Sequence, residues 1–322
     1  MIRFATLALS CLLSAVLGAA QAQVGEPSRT LPTLEGYTRT GNLLTGPGDR
    51  RIVLTNRGPY LASATVTLPK LDAQLDATAA GQLLGVLSGY GERIGPVYSQ
   101  YLSDSRNAAD LKAGTTIQAG RYDLSTKLVG AGLSFSVRLH EVPASAFVAA
   151  QNALGPAKAA VVLRLFSDFQ CPYCEQFETQ TWPTLRPLLP AGSRFEFHQL
   201  PLEGLHPNAR AAAEASECAA AQGQFWAFKD ALFVPASWAL WTKSGNPAPE
   251  FLKIAQTLGL GGGAFNACLA SRGGKAAVDA GLREAEAVGA NATPSLYVGG
   301  YLVDNIYDPA STLKLVQYVL GR

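Results

Sequence analysis

The sequence is short of charge, histidine and methionine. Only 16% of its 322 residues are Asp, Glu, Lys or Arg, and the 26 basic residues nearly balance the 24 acidic ones. A net charge of +2 argues against the basic surface that nucleic acid or an acidic membrane would select, so no nucleic-acid partner is expected. The single methionine is Met1, and only five cysteines occur. No apolar run after residue 20 is long enough to span a bilayer. With 48% hydrophobic residues, 32 Gly and 19 Pro, the composition is globular, neither disordered nor collagen-like. The length is a soft prior for two domains.

What is present begins with a targeting segment. Arg3 precedes an apolar run from Phe4 to Ala20, which ends in Ala20-Gln21-Ala22. A charged start, an apolar middle and a small-x-small site predict a signal peptide over 1–22, cleaved after Ala22. The run is slightly short for an anchor, and Cys11 lies inside it, away from a lipoprotein position. The expected location is therefore periplasmic or otherwise extracytoplasmic, an oxidising compartment. Cleavage leaves Cys171, Cys174, Cys218 and Cys268.

Residues 23–145 read as a small α/β accessory domain with an extended lead over 23–50. Ala62, Ala64, Val66 and Leu68 alternate with Ser63, Thr65 and Thr67 as a half-buried strand does. Leu75, Ala79, Leu83 and Leu87 recur at helical spacing, although glycines at 81, 85, 89, 91 and 95 oppose a helix. Two further strands are expected near 121–129 and 133–142. His140 in the second of these reads as an edge residue. Residues 146–158 read as a linker. The second domain, 159–322, opens with the apolar run Ala159 to Phe166, a buried central strand. A strand over Phe195 to Gln199, a helical insertion at about 205–285 and a closing hairpin and helix complete an α/β core with an inserted subdomain.

The chemistry lies at Cys171-Pro172-Tyr173-Cys174. Strand, short loop and helix place Cys171 at a helix N-terminus, where unpaired amides and the helix dipole favour a thiolate. Such cysteines titrate at about 3.5–7.5 instead of about 8.5, and the thiolate is the attacking species in disulfide exchange. Pro172 fits the first helical turn. Cys174, one turn further in, is placed to resolve a mixed disulfide. A structural zinc site would need two more ligands, and Cys218, Cys268, His198 and His206 stand singly, so no metal is expected. An inert structural disulfide across two residues would constrain little chain entropy. Cys218 and Cys268 fall on separate predicted helices of the insertion and are expected to pair as a structural disulfide; the alternative is an electron relay to Cys174. Asp168 reads equally as a proton shuttle or a loop residue.

Several stretches together resemble one family. They are Phe166-Ser-Asp-Phe-Gln-Cys-Pro-Tyr-Cys174, His206-Pro207 before an Ala-rich helix, and Cys218 ahead of Gly223-Gln-Phe-Trp226. Cys268 within Phe265 to Leu269, and Thr293-Pro294-Ser295 before an apolar strand and Gly299-Gly300, complete the set. Over about 159–322 the chain is similar to DsbA-like thiol-disulfide oxidoreductases. The resemblance implies a thioredoxin-like fold with a helical insertion, here preceded by a small α/β domain, and no cofactor. It implies a cis-Pro294 facing the redox pair, with Thr293, Pro294, Pro172 and Tyr173 contacting substrate. Two departures leave the direction of electron flow open. Tyr173 stands where the best-known periplasmic oxidase has His, and Leu165 stands where that oxidase buries an acid.

The reading is an exported thiol-disulfide oxidoreductase that oxidises dithiols of exported proteins and exchanges electrons with a membrane redox partner. The alternatives are an isomerase or reductase of the same fold, with the N-terminal domain as a dimerisation module, and a non-enzymatic binding or chaperone module. Oligomeric state and the task of residues 23–145 are left open.

Overall fold

The computed structural model describes residues 24–28, 31, 34–70, 75–148, 150 and 152–322. The expected signal peptide over 1–22 lies outside them. Among the described residues no helix is long and apolar enough to cross a membrane. The chain divides into two compact units, with the break between Glu141 and Val142.

The first unit runs β1 (Thr38–Thr40), β2 (Leu43–Thr45), β3 (Arg51–Arg57), β4 (Tyr60–Leu68), α1 (Leu75–Ser88), α2 (Ile94–Ser103), α3 (Ala108–Ala113), β5 (Thr115–Ala119), β6 (Tyr122–Val129) and β7 (Gly132–Leu139). Its seven strands form one antiparallel sheet in the order β1-β2-β3-β4-β7-β6-β5. Alternation decides which face is buried. Ala64, Val66 and Leu68 of β4 and Leu133, Phe135, Val137 and Leu139 of β7 point inward, while Thr65, Thr67, Ser134 and Ser136 stay at least partly open to solvent. Tyr98 of α2 packs on Phe135, with ring centroids 5.5 Å apart.

The glycines that oppose a helix by propensity have a packing use. A Cβ on Gly81 would lie 2.4 Å from the Gly95 carbonyl oxygen, and one on Gly85 only 2.2 Å from that of Gly91. These glycines let α1 approach α2 and the turn before it backbone to backbone, which offsets their cost in helix propensity. The lead over 23–50 is also more ordered than the sequence suggests, since β1 and β2 extend the sheet within it.

The second unit, Val142–Leu320, contains β8 (Ala153–Leu154), β9 (Val162–Ser167), α4 (Pro172–Gln176) and β10 (Arg194–Gln199). It continues through α5 (Ala209–Ala220), α6 (Phe225–Leu232), α7 (Pro235–Trp241), α8 (Ala248–Thr257), α9 (Gly262–Ala270) and α10 (Lys275–Val288) to β11 (Ser295–Val298), β12 (Tyr301–Leu302) and α11 (Pro309–Leu320). The sheet order is β12-β11-β9-β10-β8, with only β9 and β10 parallel. The apolar run read as a central strand is β9, with Leu163, Leu165 and Phe166 fully buried. After α4 the helix continues through a π-turn at Phe177–Thr181 into Trp182–Leu185.

The segment read as a linker is part of this unit instead. Phe147 packs with Phe166 and Tyr297 in the core, and β8 pairs antiparallel with β10. Two residues are too short a strand for an alternating pattern to be visible in sequence. Helices α5 to α10 form the inserted block, close to the expected 205–285. Gly262 and Gly263 open α9.

A disulfide joins Cys218 on α5 to Cys268 on α9, closing a separation of 50 residues. A loop of that size implies about 4 kcal/mol from restriction of the unfolded chain. The Cys218→Ala/Cys268→Ala variant is expected to unfold at clearly lower denaturant concentration with its redox-pair titration unchanged. An unaltered unfolding midpoint would contradict this role.

Candidate active site

The site is assembled where β9 ends. After Ser167 the chain turns through Asp168, Phe169 and Gln170, and α4 begins at Pro172 with Cys171 as its N-cap (φ −72°, ψ 124°). Pro172 costs nothing there because the first turn has no intrahelical acceptor for its missing N–H. The amides of Cys174 and Glu175 both donate to the Cys171 carbonyl at 3.1 Å. Cys171 is 3% exposed, and Cys174 is fully buried. Both are free thiols in this structure. Tyr173 between them is 61% exposed.

The two thiols are driven apart electrostatically. A hydrogen bond from the Cys174 thiol is the largest influence on Cys171. Together with the Cys174 amide, Thr293 and the Tyr173 amide it outweighs burial and lowers the Cys171 pKa to about 6. Burial, and then the neighbouring Cys171, pushes Cys174 well above the ordinary thiol range. One sulfur is thus poised as the thiolate, while the other keeps its proton.

Thr293 and Pro294 close the other side. Their peptide bond is cis, and the Cys171 thiol donates to the Thr293 carbonyl at 3.6 Å. The Thr293 hydroxyl is buried with no hydrogen-bond partner among the described residues, and its side chain adds to the favouring of the Cys171 thiolate. Pro294 is half-buried beside it.

Asp168 lies at the site, but its carboxylate is engaged in holding loops. One oxygen accepts the Gln170 amide at 2.7 Å. The other takes the Leu202 amide and His206 Nδ1, both at 2.8 Å. Only the backbone amide of Asp168 reaches the Cys174 sulfur, at 3.5 Å. Leu165 is fully buried in the strand that leads here.

Residues invisible as a group in the sequence complete the frame. Gln170 donates to the Thr242 carbonyl at 2.8 Å and accepts the Asn208 amide at 2.6 Å. Trp238 Nε1 donates to the Phe169 carbonyl at 2.8 Å, so this tryptophan positions the loop as well as packing. Tyr307 donates to the Tyr173 carbonyl at 3.2 Å. The partners come from segments 38 to 134 residues apart, and no local spacing signals them. Among the described residues no group of three or more His, Cys, Asp or Glu side chains is arranged to hold a metal ion.

A family described as thioredoxin matches residues 148–317, more than half of the sequence. The chain belongs to the thioredoxin family. The chain is 35% identical over 148 residues to a Na(+)/H(+) antiporter NhaA 3 of Salinispora tropica, covering 45% of this chain and 21% of that protein. It is 32% identical over 163 residues to a Na(+)/H(+) antiporter NhaA of Herminiimonas arsenicoxydans, covering 51% and 24%. The chain thus spans about a fifth to a quarter of the length of these curated relatives. Among solved structures, oxidised BdbD of Bacillus subtilis aligns with a TM-score of 0.47 at 20% identity, over 53% of this chain and 94% of that one. Pseudomonas aeruginosa DsbA2 aligns with a TM-score of 0.42 at 21% identity, over 54% and 96%.

The reduced thioredoxin unit is expected to gain thiolate absorbance with a midpoint at about pH 6, with the thiolate present above that pH and lost below it. Cys174→Ala should move the midpoint upward, because the leading hydrogen bond to Cys171 is removed. Alkylation at neutral pH should label Cys171 and spare Cys174. A midpoint at the free-cysteine value of about 8.5 would contradict this geometry.

Proposed function

We propose that this protein is an exported thiol-disulfide oxidoreductase that oxidises the dithiols of other exported proteins. The observation that carries the reading is the split between Cys171, held as a thiolate at a helix N-cap, and Cys174, buried and protonated one turn further in. Stabilising the Cys171 thiolate stabilises the reduced enzyme. A reduced form so favoured makes the enzyme's own disulfide a strong acceptor of electrons.

The cycle starts from the Cys171–Cys174 disulfide. A substrate thiolate attacks Cys171 Sγ and forms a mixed disulfide, while the bond to Cys174 breaks and Cys174 leaves as a thiolate that takes up a proton. A second substrate thiolate attacks the substrate sulfur of the mixed disulfide, and Cys171 leaves as the stabilised thiolate. The substrate has gained a disulfide and lost two electrons, which now reside in the enzyme dithiol. A disulfide-bearing membrane partner then accepts those electrons by the reverse exchange. No cofactor enters. Thr293, Pro294, Pro172 and Tyr173 line the approach to Cys171 and contact the substrate. Asp168 holds the loops through its carboxylate. Antiporter activity belongs to the relatives named above and is not part of this reading.

Equilibration of the Cys171/Cys174 pair with glutathione, on the Cys218→Ala/Cys268→Ala background, tests the direction. The expected potential is that of a strong oxidant, about −120 mV. A value near about −180 mV would point to an isomerase and one near thioredoxin's, about −270 mV, to a reductase, and either would overturn the oxidase reading. Cys171→Ser should abolish exchange and with it the protein's activity; a variant that loses exchange yet keeps full activity would favour a binding module.

A further inference from the structure

Tyr307 is far from the redox pair in sequence and touches it through one peptide group. It lies in the loop between β12 and α11. The loop's shape is fixed on both sides. Asn305 Oδ1 accepts the Tyr307 amide at 3.2 Å. The Asp308 carboxylate accepts the Ala310 amide and the Ser311 hydroxyl, both at 3.0 Å, at the start of α11. So held, the half-buried phenol donates to the Tyr173 carbonyl at 3.2 Å.

That carbonyl belongs to the peptide unit joining Tyr173 to Cys174. The N–H at the other end of the same unit is the Cys174 amide, which donates to the Cys171 carbonyl at 3.1 Å and favours the Cys171 thiolate. Tyr307 and Cys171 are therefore the two ends of one polarisable amide. Burial, followed by the nearby sulfurs of Cys174 and Cys171, pushes the Tyr307 hydroxyl up to about 12. It stays a donor over the whole range in which Cys171 titrates.

We propose that Tyr307 is a positioning residue for the redox pair, which strengthens the Cys174 amide as a donor to the Cys171 thiolate by hydrogen bonding to the far end of the same peptide group. The inference rests on the redox reading given above. Hydrogen bonds in series polarise one another by roughly 10–30% per bond. Losing the phenolic donor should weaken the amide's hold on the thiolate and leave the carbonyl with its helical partner alone. The reduced enzyme then becomes less favoured relative to the disulfide.

Tyr307→Phe tests this, read by Cys171 thiolate absorbance against pH and by the glutathione equilibrium. The expected result is a higher titration midpoint and a shift of about two- to fivefold toward the enzyme disulfide, the scale of part of one hydrogen bond. Site-specific 3-fluorotyrosine at 307, a stronger donor, should shift both readouts the opposite way, which loss of packing would not do. A Tyr307→Phe protein whose midpoint and equilibrium coincide with the wild type would overturn the proposal. Should the wild type itself fail to exchange with glutathione, the oxidoreductase reading falls, and the absorbance titration still decides the role of Tyr307.

Discussion

A charged sulfur at 3% exposure has lost nearly all of its water, and it stays charged only if protein donors replace that water. This constraint organises the thioredoxin unit. A helix N-terminus supplies the amides, and the Cys174 thiol adds the strongest donor. Everything around the turn serves to keep those donors in register. Asp168 ties the loop to Leu202 and His206, Gln170 and Trp238 tie it to the helical block, and Tyr307 grips it from the C-terminal side. The same burial acts in reverse on Cys174, which has few donors to offset it. Two chemically identical side chains three positions apart thus take opposite protonation states.

The helical block supports this arrangement from outside the sheet. Lys229 on α6 and Glu178 in the π-turn after α4 form an ion pair, with both side chains about 2% exposed. Removing one partner of such a pair leaves an uncompensated buried charge, which typically costs about 3–5 kcal/mol. The pair fixes α6 against the helix that carries the redox turn. The Cys218–Cys268 bond secures the far part of the same block. The loop-holding contacts from Asn208, Trp238 and Thr242 depend on that block keeping its shape.

Much of this was legible in the sequence, for reasons that differ by element. Strand β9 announced itself because a central strand buried on both faces must be continuously apolar. Cys171 and Cys174 stand out because a helix start beside an apolar strand favours a thiolate, whereas zinc would need further ligands and a two-residue ring constrains little chain entropy. The N-terminal strand β4 showed a period of two because helices cover only one face of its sheet. The failures are equally physical. Strand β8 is two residues long, and its pairing with β10 is a tertiary fact. The α1–α2 glycines look unfavourable until the backbones they bring together are seen. Gln170, Trp238 and Tyr307 carry no signature, since their hydrogen bonds go to backbone atoms distant in sequence. Asp168 stands out by its place beside the pair, but that its carboxylate accepts from Gln170, Leu202 and His206 is visible only in three dimensions.

The central claim is that Cys171 is the exchanging sulfur, and trapping its mixed disulfide tests it most directly. A Cys174→Ala protein would be mixed with a single-cysteine peptide carrying a thionitrobenzoate disulfide. The Cys171 thiolate should attack the peptide sulfur, release one equivalent of thionitrobenzoate, and do so at a rate that rises with pH as Cys171 ionises, above the wild-type midpoint of about 6 because the Cys174 donor is gone. Mass mapping should place the peptide on Cys171 alone. Absence of release, or a peptide attached at any other cysteine, would contradict the account.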